Sequence, residues 1–156
     1  NEKNLKVVVG LRLSKTDIRQ SKYKDEVNFY RKYLSCNYIL KDNNQKEFSN
    51  YTLSDKSNIS VGFNTAILKE AFGRHNKILS CNFTAYNYYD FPVGGFWNCK
   101  NEDYEEFKKT FLYIFDMKKE LYVSKIKKYS KYVIGYDENC PTHVYLNNFI
   151  KEGYEQ

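Results

Sequence analysis

Thr110-Phe111-Leu112-Tyr113-Ile114-Phe115, then Asp116-Met117-Lys118-Lys119, then Leu121-Tyr122-Val123-Ser124-Lys125-Ile126 is the stretch on which the fold turns. Its first six residues are β-branched, aromatic or leucine, the composition of a buried strand. The middle four read as a turn, and the last six as a returning strand. The expectation is a hydrophobic hairpin, and with it an antiparallel sheet in the second half of the chain.

Working outward, Tyr132-Val133-Ile134-Gly135-Tyr136 and His143 to Ile150 read as further strands. Upstream, Glu102 to Lys109 is acidic then basic, a loop or a single helical turn. Ile78 to Tyr89 reads as one long or bent strand. Between 59 and 72, Ile59, Phe63, Ala66, Ile67 and Ala71 fall on one face at helical spacing. Asp55 or Ser57 would cap that helix, and Gly73 would end it in the left-handed conformation. Leu5 to Leu13 reads as a first strand, and Thr16 to Tyr33 as a loop or surface helix. Tyr33 to Ile39 reads as a strand carrying Cys36, followed by a polar turn from Lys41 to Lys46. One main helix packed on an antiparallel sheet makes the expected fold class α+β.

The chain of 156 residues suits one domain with a terminal extension, long enough to bury a single core. With 16 Tyr and 11 Phe, rings must supply much of that core. The absence of any run of 18 apolar residues argues against a membrane span. A net charge of +6 suits an anionic partner: RNA, phosphate or an acidic protein face. Cys36, Cys81, Cys99 and Cys140 lie far apart, and zinc would need tighter ligand pairs, so neither a metal nor a cofactor is expected. Two disulfides suit them better, with three pairings open. The expected one, Cys36–Cys140 with Cys81–Cys99, ties the ends and clamps the central loop. Disulfides imply secretion of a mature form freed of a leader. The sequons at Asn50, Asn58 and Asn82 agree with it.

Five features carry a resemblance. Tyr33-Leu34-Ser35-Cys36 sets an aromatic just before an early cysteine, and one helix precedes the sheet. Tyr89-Asp90-Phe91-Pro92 ends a strand in aromatic, acid, aromatic, proline. The hairpin from Phe111 to Ile126 follows, and Cys140 is placed to pair back to Cys36. From Tyr33 to Val144 this order resembles the small fungal ribonucleases that cleave after guanosine, and resembles more closely the ribonuclease-like secreted effectors of powdery mildew fungi. The resemblance implies an extension over 1–32 and a ribonuclease-like domain over 33–156, forming one compact monomeric unit. It also implies a virulence effector acting on host plant cells, with a host protein, an immune receptor, host RNA or the ribosome as partner.

In such ribonucleases a carboxylate takes the 2′-hydroxyl proton, a histidine protonates the leaving oxygen, and a second histidine and an arginine steady the phosphate. Asp90 matches the position of the carboxylate, one methylene shorter than the usual Glu. The nearest basic residues to the arginine position are Lys108 and Lys109, which lack its planar fork. His75 comes too early and His143 follows Cys140, so neither histidine position is filled. The expectation is therefore a non-enzymatic, ribonuclease-like binder, with Asp90 as a turn or capping carboxylate. An active ribonuclease using Asp90 with His75 or His143 is one alternative. An unrelated secreted binding protein of a parasite or virus is the other.

Lys118, Lys119, Lys125, Lys127, Lys128 and Lys131 interleave with Tyr122, Tyr129 and Tyr132. On a hairpin such residues would grip phosphates and stack on unpaired bases, with Lys125 and Lys127 on one face. Without RNA, they would form a solubilising sheet edge. Gly94-Gly95 reads as a tight turn beside Cys99, lacking the helix and lysine of a phosphate loop. Trp97 reads as core or as a neighbour of a disulfide.

Overall fold

The computed structural model describes residues 5–44, 49–134 and 150–151. The chain forms two compact units, Asn1–Lys56 and Ser57–Gln156. Helix α1, Gln20–Tyr33, runs through the boundary expected at 32/33.

In the first unit, strand β1 (Val7–Gly10), α1 and strand β2 (Tyr38–Lys41) make a βαβ unit. The strands pair in parallel, Val7 opposite Tyr38 through Gly10 opposite Lys41. Parallel strands need a long crossover, and α1 is that crossover. The segment from Thr16 is thus mainly helix, and Cys36 precedes its strand instead of lying on it. Helix α2 (Ser49–Lys56) follows. Leu11, Leu13 and Val27 are buried here. The loop carrying Leu11 and Leu13 is held by the unit's own carboxylates: Glu26 accepts the Arg12 and Leu13 N–H groups at 2.9 and 3.4 Å. Asp42 accepts the Lys15 N–H at 3.0 and 3.2 Å.

The second unit repeats the motif. Strand β3 (Ser60–Gly62), helix α3 (Ala66–Gly73) and strand β4 (Ile78–Cys81) form a βαβ unit, and strand β5 (Asn98–Cys99) adds to β4. All pairings are parallel, in the order β3-β4-β5. Every residue of β4 is buried, as a central parallel strand covered on both faces must be. Helices α4 (Tyr104–Asp116) and α5 (Lys119–Ile134) complete the unit. Leu68, Phe72, Ile78, Leu79, Trp97, Ile114, Tyr122 and Ile126 share one core.

The mixed α and β content is as expected, but the antiparallel sheet is not: every paired strand among the described residues is parallel. The expected hairpin is the pair of helices α4 and α5. Its short apolar runs fit strand and buried helix equally well, and the flanking residues decide between them. Asp103 accepts the Glu106 N–H at 2.7 Å and so caps α4. Phe107, Phe111 and Phe115 then follow at i, i+4 spacing, their rings stacked 6.1 and 5.6 Å apart. On α5, Tyr122, Ile126 and Ser130 recur every four residues and are buried.

The expected helix from Ile59 to Phe72 divides into β3, a turn and α3. Its break falls at Asn64, whose φ of 39° is left-handed. The expected strand from Ile78 to Tyr89 stops at Cys81, and Asn87–Tyr89 is a 3-10 turn. The expected strand at 132–136 is helix as far as Ile134, and the remainder lies outside the described residues, as do His143 to Phe149.

The expected Cys81–Cys99 disulfide is not formed, because both residues, like Cys36, are free thiols. Cys140, and with it the Cys36–Cys140 pairing, lies outside the described residues. Of the three sequon asparagines, Asn82 is buried, Asn50 is half-buried on α2, and Asn58 is exposed. No described helix is long and apolar enough to cross a membrane.

Candidate ligand site at the carboxyl edge of the second sheet

In open parallel sheets, ligands bind beyond the carboxyl ends of the strands. In the second unit, the loops leaving all three strands meet at that edge. Phe63, after β3, packs its ring edge-on against Tyr89 in the segment after β4, centroids 5.5 Å apart. Asp90 follows Tyr89, and its carboxylate pairs with Lys100, which follows β5. An unbroken series of contacts thus runs along the edge.

Asn82, the first residue past β4, organises the middle loop. Its amide donates to the Asp90 carboxylate at 2.7 Å and to the Tyr86 carbonyl at 3.0 Å. Its side-chain oxygen accepts from the Thr84 hydroxyl at 2.7 Å and the Thr84 N–H at 3.1 Å. These bonds fold residues 82–90 into a compact loop. They also use the Asn82 amide nitrogen, the atom a glycan would occupy. Lys100 first, and the Asn82 amide second, hold the Asp90 carboxyl below the usual carboxylate range. Asp90 is thus a polarised loop carboxylate, engaged by one charged and one neutral donor.

A pH dependence follows. A carboxyl with a depressed native pKa adds stability above its unfolded value, and that contribution is lost as pH falls through the native one. An NMR titration of the Asp90 side chain should find a midpoint below that of an ordinary aspartate. Lys100→Gln should move the midpoint upward. An unchanged midpoint in that variant would mean that the ion pair does not form in solution.

Two helices begin at this edge and differ in what covers their N-termini. α4 carries Asp103 as its cap and Glu105 and Glu106 in its first turn, so its positive end is already answered. α3 has Thr65 at the cap position, but the Thr65 side chain makes no capping bond and no acid lies in the first turn. Its opening N–H groups retain the capacity to receive an anion. The approach is narrow: a Cβ on Gly62 would meet Leu68 at 3.2 Å and Thr65 at 3.4 Å. Around this edge lie exposed rings, with Tyr88 88% and Tyr86 69% accessible and Phe63 and Phe83 also exposed.

The other expected site residues are dispersed. Lys118 lies just before α5, and Lys119, Lys125, Lys127, Lys128 and Lys131 lie on it, all exposed. A helix sets Lys125 and Lys127 about 200° apart, so they do not share the face that a strand would have given them. Tyr122 is no stacking platform. It is fully buried, and its hydroxyl accepts the Ile78 N–H at 3.1 Å. Burial pushes its phenol well above the usual tyrosine range. Tyr129 packs on Trp97, centroids 5.4 Å apart, with Lys128 over its ring at 4.7 Å. Lys119 is engaged with the His75 carbonyl.

His75 sits 3.1 Å from the Ser130 hydroxyl, which donates to the Lys127 carbonyl at 3.0 Å. With its proton so committed, Ser130 receives the imidazole N–H, an arrangement that ties the end of α3 to α5. Among the described residues no cluster of three or more His, Cys, Asp or Glu side chains is placed to hold a metal ion. Trp97 is core, as one of its two readings had it.

Comparison with protein-family models, curated proteins and solved structures finds no match to this chain.

Proposed function

We propose that this protein binds a nucleotide, specifically a ligand pairing a phosphate group with a ring, at the carboxyl edge of β3, β4 and β5. The observation that carries this reading is the convergence of the three strand-end loops beside a helix N-terminus without an acidic cap. The α3 N-terminus would take the phosphate, with the Thr65 hydroxyl as an added donor. Tyr86, Tyr88 and Phe63 offer faces on which a base would stack. Asp90, already steadied by Asn82 and Lys100, has lone pairs left to accept sugar hydroxyls.

The ribonuclease-like effector reading depended on an antiparallel sheet and finds no such support in a parallel one. Single-stranded RNA enters the test as a competing ligand, because the exposed lysines of α5 remain a basic surface.

Calorimetric titration of the full chain with adenosine, guanosine, uridine and cytidine diphosphates, and with inorganic pyrophosphate, tests the proposal. At least one nucleoside diphosphate should bind more tightly than pyrophosphate. Thr65→Asp should weaken that binding about tenfold or more, roughly 1.4 kcal/mol, because a carboxylate would then fill the anion's place. The same change should leave the melting temperature equal or slightly higher, since Asp caps helices at least as well as Thr. Binding of no nucleotide, or binding indifferent to Thr65→Asp, would overturn the reading. RNA binding that is lost with Lys125, Lys128 and Lys131 but kept in Thr65→Asp would favour the basic helix face instead.

A further inference from the structure

Cys81 ends β4 and Cys99 ends β5, and the two are Cα partners in the parallel register. Partners in register on neighbouring strands point to the same face of a sheet. Neighbouring strands lie about 4.7–4.9 Å apart, and disulfides join Cα atoms about 4.4–6.8 Å apart. Both residues are unbonded and buried in the same core. The Cys99 thiol donates to the Asn101 carbonyl, 3.8 Å away. Cys36 belongs to the other unit. The nucleotide reading makes no use of these thiols.

We propose that Cys81 and Cys99 are a reversible dithiol–disulfide couple, oxidised by a small-molecule disulfide of the glutathione class. One cysteine, as thiolate, attacks a sulfur of the oxidant, whose S–S bond breaks and releases one small thiolate. The second cysteine, as thiolate, attacks the mixed disulfide at the protein sulfur. The Cys81–Cys99 bond forms and the second small thiolate leaves. The two cysteine protons end on the two released thiolates, so one disulfide is reduced as one is made.

The surroundings set the speed. Burial, and then the neighbouring Cys99, push the Cys81 thiol up to about 12. Burial first, and Glu106 second, push Cys99 up as well. Exchange proceeds through the thiolate, so it is slow near neutrality and accelerates with pH. The new bond would join the residues directly before Asn82 and Lys100, the two side chains that hold Asp90.

The full chain is equilibrated, folded, in a series of glutathione redox buffers at two alkaline pH values, then acid-quenched, alkylated and peptide-mapped without reduction. The expected result is loss of alkylation at Cys81 and Cys99 together, one peptide cross-link joining them, and reversal by dithiothreitol. The rate should be higher at the higher pH. Cys81→Ser should leave Cys99 alkylatable or carrying one glutathione. A cross-link from either residue to Cys36 or Cys140 would overturn the proposal. So would Cys81 and Cys99 thiols that stay reduced at equilibrium across the whole series.

Discussion

Trp97→Ala should lower the stability of the protein by about 3–5 kcal/mol, the range for emptying a large aromatic site in a core. The indole is 2% exposed. It packs against Phe72, Phe96 and Tyr129 with centroids 4.9, 5.0 and 5.4 Å away. Its N–H donates to the Val93 carbonyl at 3.0 Å, so the ring also pins the turn that leads into β5. Gly95 lies under the ring so closely that any Cβ there would overlap the indole. Gly95 on one side and three rings around it leave little room for collapse into the cavity. Urea unfolding followed by circular dichroism measures the effect, since the variant has no tryptophan to report. Tyr88→Ala, at a ring 88% exposed, is the control and should stay within about 0.5 kcal/mol. A loss at Trp97 no larger than that at Tyr88 would mean that Trp97 is not the centre of this core.

Tyr122→Phe should cost about 1–3 kcal/mol, although it removes a single oxygen. The Tyr122 hydroxyl accepts the Ile78 N–H at the start of β4, in a buried place. Phenylalanine keeps the ring and leaves that backbone donor without an acceptor. The bond links α5 to the central strand, so its loss should also speed hydrogen exchange at Ile78. Tyr129→Phe is the comparison, expected within about 0.5 kcal/mol, since that half-buried ring keeps its packing against Trp97. A neutral Tyr122→Phe, with Ile78 exchange unchanged, would mean that α5 does not dock on β4 through this hydroxyl.

Both variants bear on how the chain is read. Tyr122 in Leu121-Tyr122-Val123-Ser124-Lys125-Ile126 has the composition of a strand residue and the position of a helical one. The helical period was present in Tyr122, Ile126 and Ser130, and the start of α4 in Asp103-x-x-Glu106. The strand reading gave weight to β-branched and aromatic content, a preference that packing readily overrides. The same error put Lys125 and Lys127 on one strand face. At β3 the failure ran the other way. A short strand, a left-handed Asn64 and a short helix together imitate one long amphipathic helix, because Ile59, Phe63, Ala66 and Ala71 keep helical spacing across the break.

The candidate site was legible only in fragments. Asp90 stood out, but its partners Asn82 and Lys100 are eight and ten residues away, and neither offset marks a local motif. Composition by itself settled that rings would fill much of the core, and Trp97, Phe72 and Tyr122 do so. It also settled a basic net charge, while the mixture of helix and strand came from patterning along the chain. Spacing alone located the turn of helix around Ala66 to Ala71, and composition the start of a strand at Ile78. Tertiary structure decided strand direction, because parallel pairing depends on a crossover returning over the sheet and not on the residues within a strand. It also decided that Cys81 and Cys99 face each other as thiols and that three loops meet around Asp90. Those neighbours are made by chain reversals, so they have no signature until the helices between them have packed.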